Sequence, residues 1–227
     1  MQVFGDDETG MHWQIGKGGA FHHVAAERRE QDLPVMVALS AEPLLLLAGM
    51  LPLPEGVSEL AFAGFLRGSP TRVVRLENGL WAPAEAEIVL EGVVPAGVRR
   101  LEGPFGDHYG HYSSAADFPV FRVKRMHRRR DAIYVAAVVG KPPQEDMVLG
   151  AAAQEMFLPL LRMTRPEIRD AWAHYETGFH ALFTISMRPR YDKESLKTAF
   201  SILGEGQVAL TKCCIVVPED VDCGDAR

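Results

Sequence analysis

Two acidic residues five positions apart are the most chemically suggestive feature of the sequence. Glu102 and Asp107 flank the segment Gly103-Pro104-Phe105-Gly106. Residues five apart in a straight strand point to opposite faces, but a Pro-x-Gly turn folds the chain back and lets both carboxylates face one pocket. Two carboxylates held close raise each other's proton affinity, so one can stay protonated near neutral pH and act as an acid. The alternative is a surface turn with two solvated acids, and spacing alone does not decide between them.

A glycine-rich stretch near the start of the chain is a second candidate. Gly16-Lys17-Gly18-Gly19 lies just after Trp13. Glycines let the backbone approach an anion closely and Lys17 adds charge, so the stretch could bind a phosphate. It is not a Walker sequence, and an ordinary loop is the alternative. The neighbouring His22-His23 could suggest a metal, but adjacent histidines point apart in most backbones, which favours a surface role.

Glu59 is a third candidate because of its place on a predicted helix. The pattern predicts a helix from Glu59 to Leu66, capped by Ser58 and ended by Gly68. A glutamate in the first turn stabilises a helix through the macrodipole. A metal-ligating carboxylate is the alternative.

Apolar and β-branched patterns predict the elements that must position these residues. Strands are predicted in six segments and helices in three others. The strands are Val35–Leu39, Arg72–Leu76, Glu85–Gly92, Phe118–Met126, Ala132–Val139 and Ala181–Met187; the helices are Ala41–Gly49, Leu149–Arg162 and Lys193–Leu203. A further strand at Ile215–Val217 completes a strand–helix–strand order, which indicates the start of an α/β unit.

Composition narrows the class of protein. The 227 residues are 47% hydrophobic and 24% charged, which is ordinary for a globular chain. The net charge of −6 argues against a nucleic-acid binder. The basic run Lys124–Arg130 is typical of the solvent-exposed face of a hairpin, and an anion-binding patch is the alternative. The three cysteines predict free core thiols. Because the N-terminus lacks a signal-peptide pattern and Pro interrupts the apolar stretch Leu33–Leu53, we expect a cytoplasmic protein.

Several long motifs occur in the order typical of the UbiD family, which this sequence resembles from its first residues to about Asp222. They are GMHWQIGKGGAFHH, LPLPEGVSELAFAGFLRG, APAEAEIVLEG, LEGPFGDHYGHYS, FPVFRVKRMHRRRDAIY and VVGKPPQED. The resemblance implies a mixed α+β fold, in which a flavin-reductase-like split β-barrel is followed by the start of an α/β domain. The expected domains are a cofactor-binding segment (1–30), the barrel (31–142), a linking helix (143–175) and a partial α/β domain (176–227).

The resemblance also implies an activity and its residues. The family carries out non-oxidative decarboxylation of aromatic and α,β-unsaturated acids with prenylated FMN. Asp107 matches the proton donor and Glu102 the first acid of the family's Glu-Arg-Glu/Asp constellation. Glu59 matches the ligand of a divalent metal, usually Mn²⁺, and K⁺ is a further expected ion. The positions that match cofactor-binding residues are His12, Trp13, Gln14, Lys17 and Gly18.

Substrate and partners follow from the same resemblance. The segments His174–Leu182, Leu203–Gln207 and Leu210–Lys212 look more like the menaquinone-pathway branch, which acts on dihydroxynaphthoates. The alternative is the ubiquinone-pathway 4-hydroxy-3-polyprenylbenzoate decarboxylase. Expected partners are a small aromatic acid, a flavin prenyltransferase that supplies the cofactor, and further copies of the chain in a homo-oligomer. Membrane-surface association is expected only through a lipophilic substrate.

One departure from the family pattern affects the expected activity. In the family an Asn and, five residues later, an Arg precede the segment matching Met1-Gln2-Val3, and this sequence begins just after the position where the Arg would stand. Without that Arg the carboxylates lose a cationic partner, so we expect little or no activity from this polypeptide alone. Two other classes stay open, a non-catalytic flavin-binding fragment and an FMN reductase with a related split barrel. The reductase would leave Glu102 and Asp107 without a role.

Overall fold

The computed structural model describes residues 2–13, 18–51, 53, 56–141, 143–179 and 181–224, with only the backbone at 206–207. It divides into two compact units, one made of residues 1–105 and 112–137 and the other of residues 106–111 and 138–227. Both helices and strands contribute to the fold, which confirms the predicted mixed class. None of the described helices is long and apolar enough to cross a membrane.

The first unit contains three helices and seven strands among its described residues. In chain order they are β1 (Glu8–Gly10), α1 (Gly18–Arg28), β2 (Leu33–Leu39), α2 (Pro43–Met50), α3 (Glu59–Arg67), β3 (Val73–Arg75), β4 (Trp81–Pro83), β5 (Ile88–Val94), β6 (Arg99–Glu102) and β7 (Ala116–Arg128). Five of these strands form an antiparallel sheet in the order β1-β7-β5-β2, with β6 also paired to β7. The sheet is open, since no closed barrel is formed by the residues that the structure describes.

The long strand β7 organises this sheet because three other strands pair with it. Gly10 of β1 lies opposite Val120, and Glu102 at the end of β6 lies opposite Ala116. Phe121 is fully buried and packs in a core cluster with Met11, Val35 and Val94. The ends of β1 and β6 are thereby fixed near the same stretch of β7.

A buried acid lies where β5 shifts register against β7, between Glu91 and Gly92. The Glu91 side chain is 2% exposed and accepts hydrogen bonds from the Asn78 amide at 2.6 Å and from His127 Nε2 at 3.0 Å. The His127 bond, with a further contribution from Asn78, lowers the pKa of the Glu91 carboxyl. Both carboxylate oxygens are therefore satisfied inside the sheet.

We expect the Glu91–His127 pair to make the free energy of unfolding fall as the solution becomes acidic. A carboxyl with a lowered folded-state pKa stabilises the fold above its ordinary pKa of 4.5, and that stability is lost as the pH falls through the lowered value. The variant Glu91→Gln should have a lower urea midpoint than the wild type at neutral pH, and the difference should shrink in acid. Exposed Glu155→Gln on the second unit is the control and should follow the wild type. Parallel wild-type and Glu91→Gln curves across the acid range would contradict the expectation.

The predicted strand Ala132–Val139 is wrong, since these residues follow β7 without regular structure. The amides of Ile133 and Val135 bind the side chains of Glu87 and Ser40 rather than a neighbouring strand. β-branched residues fit a strand only where a second strand offers its backbone groups, and the described residues offer none here. No sequence pattern indicated α1, because glycines weaken its first turn.

The second unit contains α4 (Glu145–Thr164), β8 (Ile168–Ala173), β9 (Leu182–Met187), α5 (Glu194–Leu203) and β10 (Cys213–Pro218). The sheet order is β10-β9-β8, with β9 and β10 parallel and joined through α5. That crossover confirms the predicted strand–helix–strand unit, around a core with Leu161, Ile185 and Ile202. The three cysteines are free. The expectation of core thiols holds for buried Cys223 and for half-buried Cys214, which packs against this core, but not for exposed Cys213.

Candidate functional site

Glu102 is the most tightly held acid of the candidate site. Glu102 is the last residue of β6, and its side chain is 0% exposed. Oε1 accepts a hydrogen bond from the Gln2 amide at 2.7 Å, and Oε2 lies 2.9 Å from His12 Nε2. A buried carboxylate needs such partners, because an unpaired charge in the interior is costly. Sequence reasoning did not find either partner, since they lie 100 and 90 residues away along the chain.

Two aromatic rings hold His12 beside this carboxylate. The imidazole stacks on Phe118 with a centroid separation of 4.0 Å and an interplanar angle of 21°. It meets Phe105 edge-on at 5.1 Å and 80°. Phe118 comes from β7, so the strand that pairs with β1 and β6 also supplies the ring on which His12 rests.

Two glycines are required by this arrangement. A Cβ placed on Gly10 would lie 1.9 Å from Glu102 Oε2, so any side chain there would displace the carboxylate. Gly103 has a φ of 96°, in the left-handed region that glycine tolerates best. Its amide donates to the Gln2 side-chain oxygen at 3.1 Å. Gln2 therefore contacts the Glu102 carboxylate through its backbone amide and the Gly103 amide through its side chain.

Asp107 belongs to the second unit, in a tight turn of its own. The Gly110 amide donates to the Asp107 carbonyl at 2.9 Å, and the Asp107 amide donates to the His111 carbonyl at 2.9 Å. The carboxylate is 31% exposed, and its Oδ1 lies 2.8 Å from His108 Nδ1. The other ring nitrogen, His108 Nε2, lies 3.1 Å from the Gly178 carbonyl oxygen. Asp107 is thus oriented by an imidazole and reachable from solvent.

The phenol beside this turn is held in its protonated form. Burial and then the negative charge of Asp107 raise the pKa of the Tyr109 hydroxyl. The Tyr109 ring lies against Gly178, where a Cβ would come within 2.1 Å of the ring. The Tyr109 hydroxyl can therefore act only as a neutral hydrogen-bonding group at physiological pH.

The other predicted cofactor residues lie around the start of α1. Gly18 begins α1, and the Trp13 ring lies so close to Gly19 that a Cβ there would be 2.8 Å from it. The rings of Trp13 and His23 stack at 5.6 Å. Trp13 Nε1 is buried without a hydrogen-bond partner among the described residues. Gln14 and Lys17 lie outside the described residues.

His23 differs from the surface role predicted for the His22-His23 pair. The two side chains do point apart, with His22 exposed, but His23 is only 5% exposed. Burial lowers the pKa of His23, so the imidazole is neutral. Behind it, Glu27 pairs with Arg99 at 2.6 Å, and that bond lowers the pKa of the Glu27 carboxyl. The Trp13 ring therefore stacks on a buried imidazole whose pKa is lowered.

Glu59 stands at the first position of α3, as predicted, and is exposed. Ser58 precedes the helix without a side-chain cap hydrogen bond, and Gly68 ends it in the left-handed conformation. The described residues contain no group of three His, Cys, Asp or Glu side chains that could hold a metal ion. Within the part of the chain that is described, Glu59 could thus supply one ligand of a metal site but not a complete site.

Comparison with known families finds a match for each of two consecutive parts of the chain. Residues 1–142 match the 3-octaprenyl-4-hydroxybenzoate carboxy-lyase Rift-related domain, and residues 147–227 match the C-terminal domain of the same enzymes. The chain belongs to the UbiD family. Its two matched domains account for nearly the whole sequence.

Individual relatives support this UbiD assignment. A 4-hydroxybenzoate decarboxylase component from Chlamydia pneumoniae is 47% identical over 223 residues, which cover 97% of this chain and 38% of the relative. An uncharacterized protein of Archaeoglobus fulgidus is 45% identical over 229 residues, covering 100% of this chain and 48% of the relative. The chain therefore spans less than half of the length of these relatives.

Solved structures share the fold. Vanillic acid decarboxylase of Sedimentibacter hydroxybenzoicus, in closed form, matches with a TM-score of 0.90 and 30% identity, over 97% of this chain and 47% of that one. An evolved dimeric form of HmfF from Pelotomaculum thermopropionicum, in complex with prenylated FMN, matches with a TM-score of 0.83 and 28% identity, over 99% and 52%. The two UbiD-class structures thus include one that holds the modified flavin.

The residues of this UbiD-family chain fit such a cofactor. Trp13 Nε1 has no hydrogen-bond partner among the described residues and can donate a hydrogen bond to a ligand. Flavins and phosphates carry several acceptor oxygens. The N-terminus of α1 offers backbone amides beside it, without an acidic residue in its first turn. The local chemistry therefore suits an anionic, acceptor-rich ligand.

Proposed function

We propose that this chain carries the flavin-binding and acid–base residues of a prenylated-FMN-dependent decarboxylase that acts on a hydroxylated aromatic acid. The observation that carries the proposal is the contrast between its two motif acids. Glu102 is completely buried with both oxygens engaged, whereas Asp107 is 31% exposed beside a histidine. The first arrangement suits an acid that orients its surroundings, and the second suits an acid that exchanges a proton with a ligand.

Asp107 is the proposed proton donor. Prenylated FMN, when bound, supplies the electron sink that lets the carboxyl group leave as CO2. The protonated Asp107 carboxyl then gives its proton to the ring carbon from which the carboxyl group has left, and it regains one from solvent. His108 Nδ1, 2.8 Å from Asp107 Oδ1, orients the carboxyl for this transfer. Glu102 orients and tunes the acid machinery from its buried position.

The proposed cofactor contacts lie on the segment between β1 and α1. Trp13 would donate its indole N–H, and Gly18 would allow the backbone of α1 to approach a phosphate. His12, Gln14 and Lys17 are proposed on the family pattern. Glu59 would supply a carboxylate to Mn²⁺, a hard cation that shares its ligands well with phosphate, and K⁺ is the further ion proposed.

The proposed biological setting is quinone biosynthesis. The menaquinone-branch segments favour a dihydroxynaphthoate, and a 4-hydroxy-3-polyprenylbenzoate is the alternative substrate. Four strands of the open sheet, β2, β5, β6 and β7, would then be part of the family's split barrel over residues 31–142, and β1 would join it from the proposed cofactor segment 1–30. The proposed later segments are 143–175 and 176–227. A flavin prenyltransferase as cofactor supplier, a homo-oligomer and a cytoplasmic location complete the proposal.

The decisive test identifies the flavin and the reaction together. The chain is co-expressed with a flavin prenyltransferase, alone and as a chimera that replaces the matching segment of the Chlamydia pneumoniae relative. The bound flavin is released and identified by its mass in a mass spectrometer. CO2 release is measured with hydroxynaphthoic and hydroxybenzoic acids as substrates. Prenylated FMN with CO2 release from the chimera supports the proposal. Plain FMN without CO2 release would instead favour a reductase-like protein.

A separate prediction concerns the metal. Glu59→Gln removes a charged oxygen ligand, so the affinity of the flavin-loaded chain for Mn²⁺ should fall at least about 10-fold. Manganese is measured by atomic emission after dialysis against a graded chelator series. Glu155→Gln, which changes another exposed glutamate, on α4, is the control and should leave retention unchanged. Equal manganese retention by both variants would remove Glu59 from the proposed metal site.

A further inference from the structure

We propose that His12 is a positioning residue for Glu102, so that the imidazole and the buried carboxylate work as one unit of the site. The inference rests on the proposed function, because Glu102 matters to the reaction only if the decarboxylase proposal holds. It also gives His12 a task separate from the cofactor contact predicted for it.

Both oxygens of the Glu102 carboxylate are engaged. One oxygen accepts from the Gln2 amide at 2.7 Å and the other lies 2.9 Å from His12 Nε2. Gly10 presses against the same carboxylate, where even a methyl group would fall within 1.9–2.2 Å of its atoms. The carboxylate therefore has one orientation available, and His12 occupies one of its two polar contacts.

The imidazole of His12 is itself immobilised. Phe118 lies parallel to one face of the ring and Phe105 meets the ring edge-on. A stacked ring between two aromatic neighbours cannot turn about its side-chain bonds without losing both contacts. Nε2 is therefore held toward Glu102 by packing, and the hydrogen bond does not have to hold the ring in place by itself.

The basic groups around Glu102 support the same pairing. Among the described residues, His12 is the one basic side chain within 4.0 Å of the Glu102 carboxylate. A fully buried carboxylate depends on such a donor, because removing one partner leaves the other charge buried and unpaired. The His12 side chain is 41% exposed, so the same ring contacts both the buried acid and solvent.

Two substitutions separate the hydrogen bond from the ring. His12→Phe keeps an aromatic ring against Phe118 but removes the donor, whereas His12→Gln removes the ring and keeps a side-chain N–H. The chain is labelled with glutamate ¹³C at the carboxyl carbon, and the Glu102 resonance is assigned by its absence in Glu102→Gln. We expect this resonance to move in His12→Phe and to stay near its wild-type position in His12→Gln. His22→Phe, at an exposed site on α1, is the matched control and should leave it in place.

Stability supplies a second readout that needs no flavin. Leaving a buried carboxylate short of one donor should lower the melting temperature of His12→Phe by about 3–9 °C. Combining His12→Phe with Glu102→Gln should recover part of that loss, because the neutral amide no longer needs the missing donor as strongly. Simple addition of the two single losses, together with an unmoved Glu102 resonance, would overturn the pairing.

The functional readout uses the flavin-loaded chimera. We expect kcat for decarboxylation to fall at least about 10-fold in His12→Phe with KM and flavin content held, and to be partly rescued in His12→Gln. If the resonance and the melting temperature change but kcat does not, His12 is only a structural partner and the positioning role is overturned. Loss of flavin from both variants would also overturn it, in favour of cofactor contact alone. If the wild-type chimera releases no CO2, the decarboxylase proposal fails, while the flavin-free readouts still report on the His12–Glu102 pair.

Discussion

Replacing Asp107 with Asn is expected to lower decarboxylation by the flavin-loaded chimera by about 10²–10⁴-fold, the usual contribution of general acid catalysis. An amide cannot give up a proton to carbon, so the ring carbon would depend on water for protonation. The local fold should survive, because the Tyr109 amide donates to Asp107 Oδ1 at 3.3 Å and the amide oxygen of Asn can accept the same bond. Turnover is followed as CO2 release under saturating acid.

Two companion variants make this result specific. Asp107→Glu keeps the acid and lengthens its reach by one methylene, so it should retain much more turnover than Asp107→Asn. Asp117→Asn changes an exposed aspartate on β7 and should behave as the wild type. Solvent deuterium should appear at the ring carbon of product made by the wild type. If Asp107→Asn matches the wild type in turnover and deuterium incorporation, another group donates the proton.

The variant Gly92→Ala is expected to destabilise the first unit by about 3 kcal/mol, at the upper end of typical overpacking effects. A Cβ on Gly92 would lie 2.0 Å from the Arg122 carbonyl oxygen and 2.9 Å from the ring of fully buried Phe121. The carbonyl belongs to β7, the strand that also pairs with β1 and β6, so it cannot retreat without disturbing the whole sheet. The melting temperature should fall by roughly 6–12 °C.

Gly49→Ala is the matched control for this change. Gly49 lies exposed in α2, and a Cβ there would have nothing within 4 Å outside its own helix. The same substitution should therefore leave stability unchanged or raise it by about 0.5–1 kcal/mol, because alanine favours a helix over glycine. Both variants are compared by calorimetry on the purified chain. Equal melting temperatures would show that β5 can move away from β7 at its register shift.

Local patterns in the sequence were enough to predict much of the secondary structure. The helix α3 starts at Glu59 and ends before Gly68 as expected, because a left-handed glycine is a local stop signal. The unit β9–α5–β10 follows from the change between two-residue and helical periodicity. Ala132–Val139 has an equally strong strand pattern, but a strand exists only with a hydrogen-bonding neighbour, which short-range patterns do not report.

In the candidate site, too, the sequence predicted some features and the tertiary structure decided others. The sequence by itself singled out Glu102, Asp107 and their glycine-bordered turn, and the ordered motifs placed the chain in its family. That Glu102 is buried and held by His12 and Gln2 was decided only by the tertiary structure. The reason is the register of the sheet, which sets Gly10 opposite Val120 and Glu102 opposite Ala116 on β7 and so joins residues 90 or more positions apart. Spacing along the chain predicts which acids can meet across a turn, but distant partners depend on how the strands align.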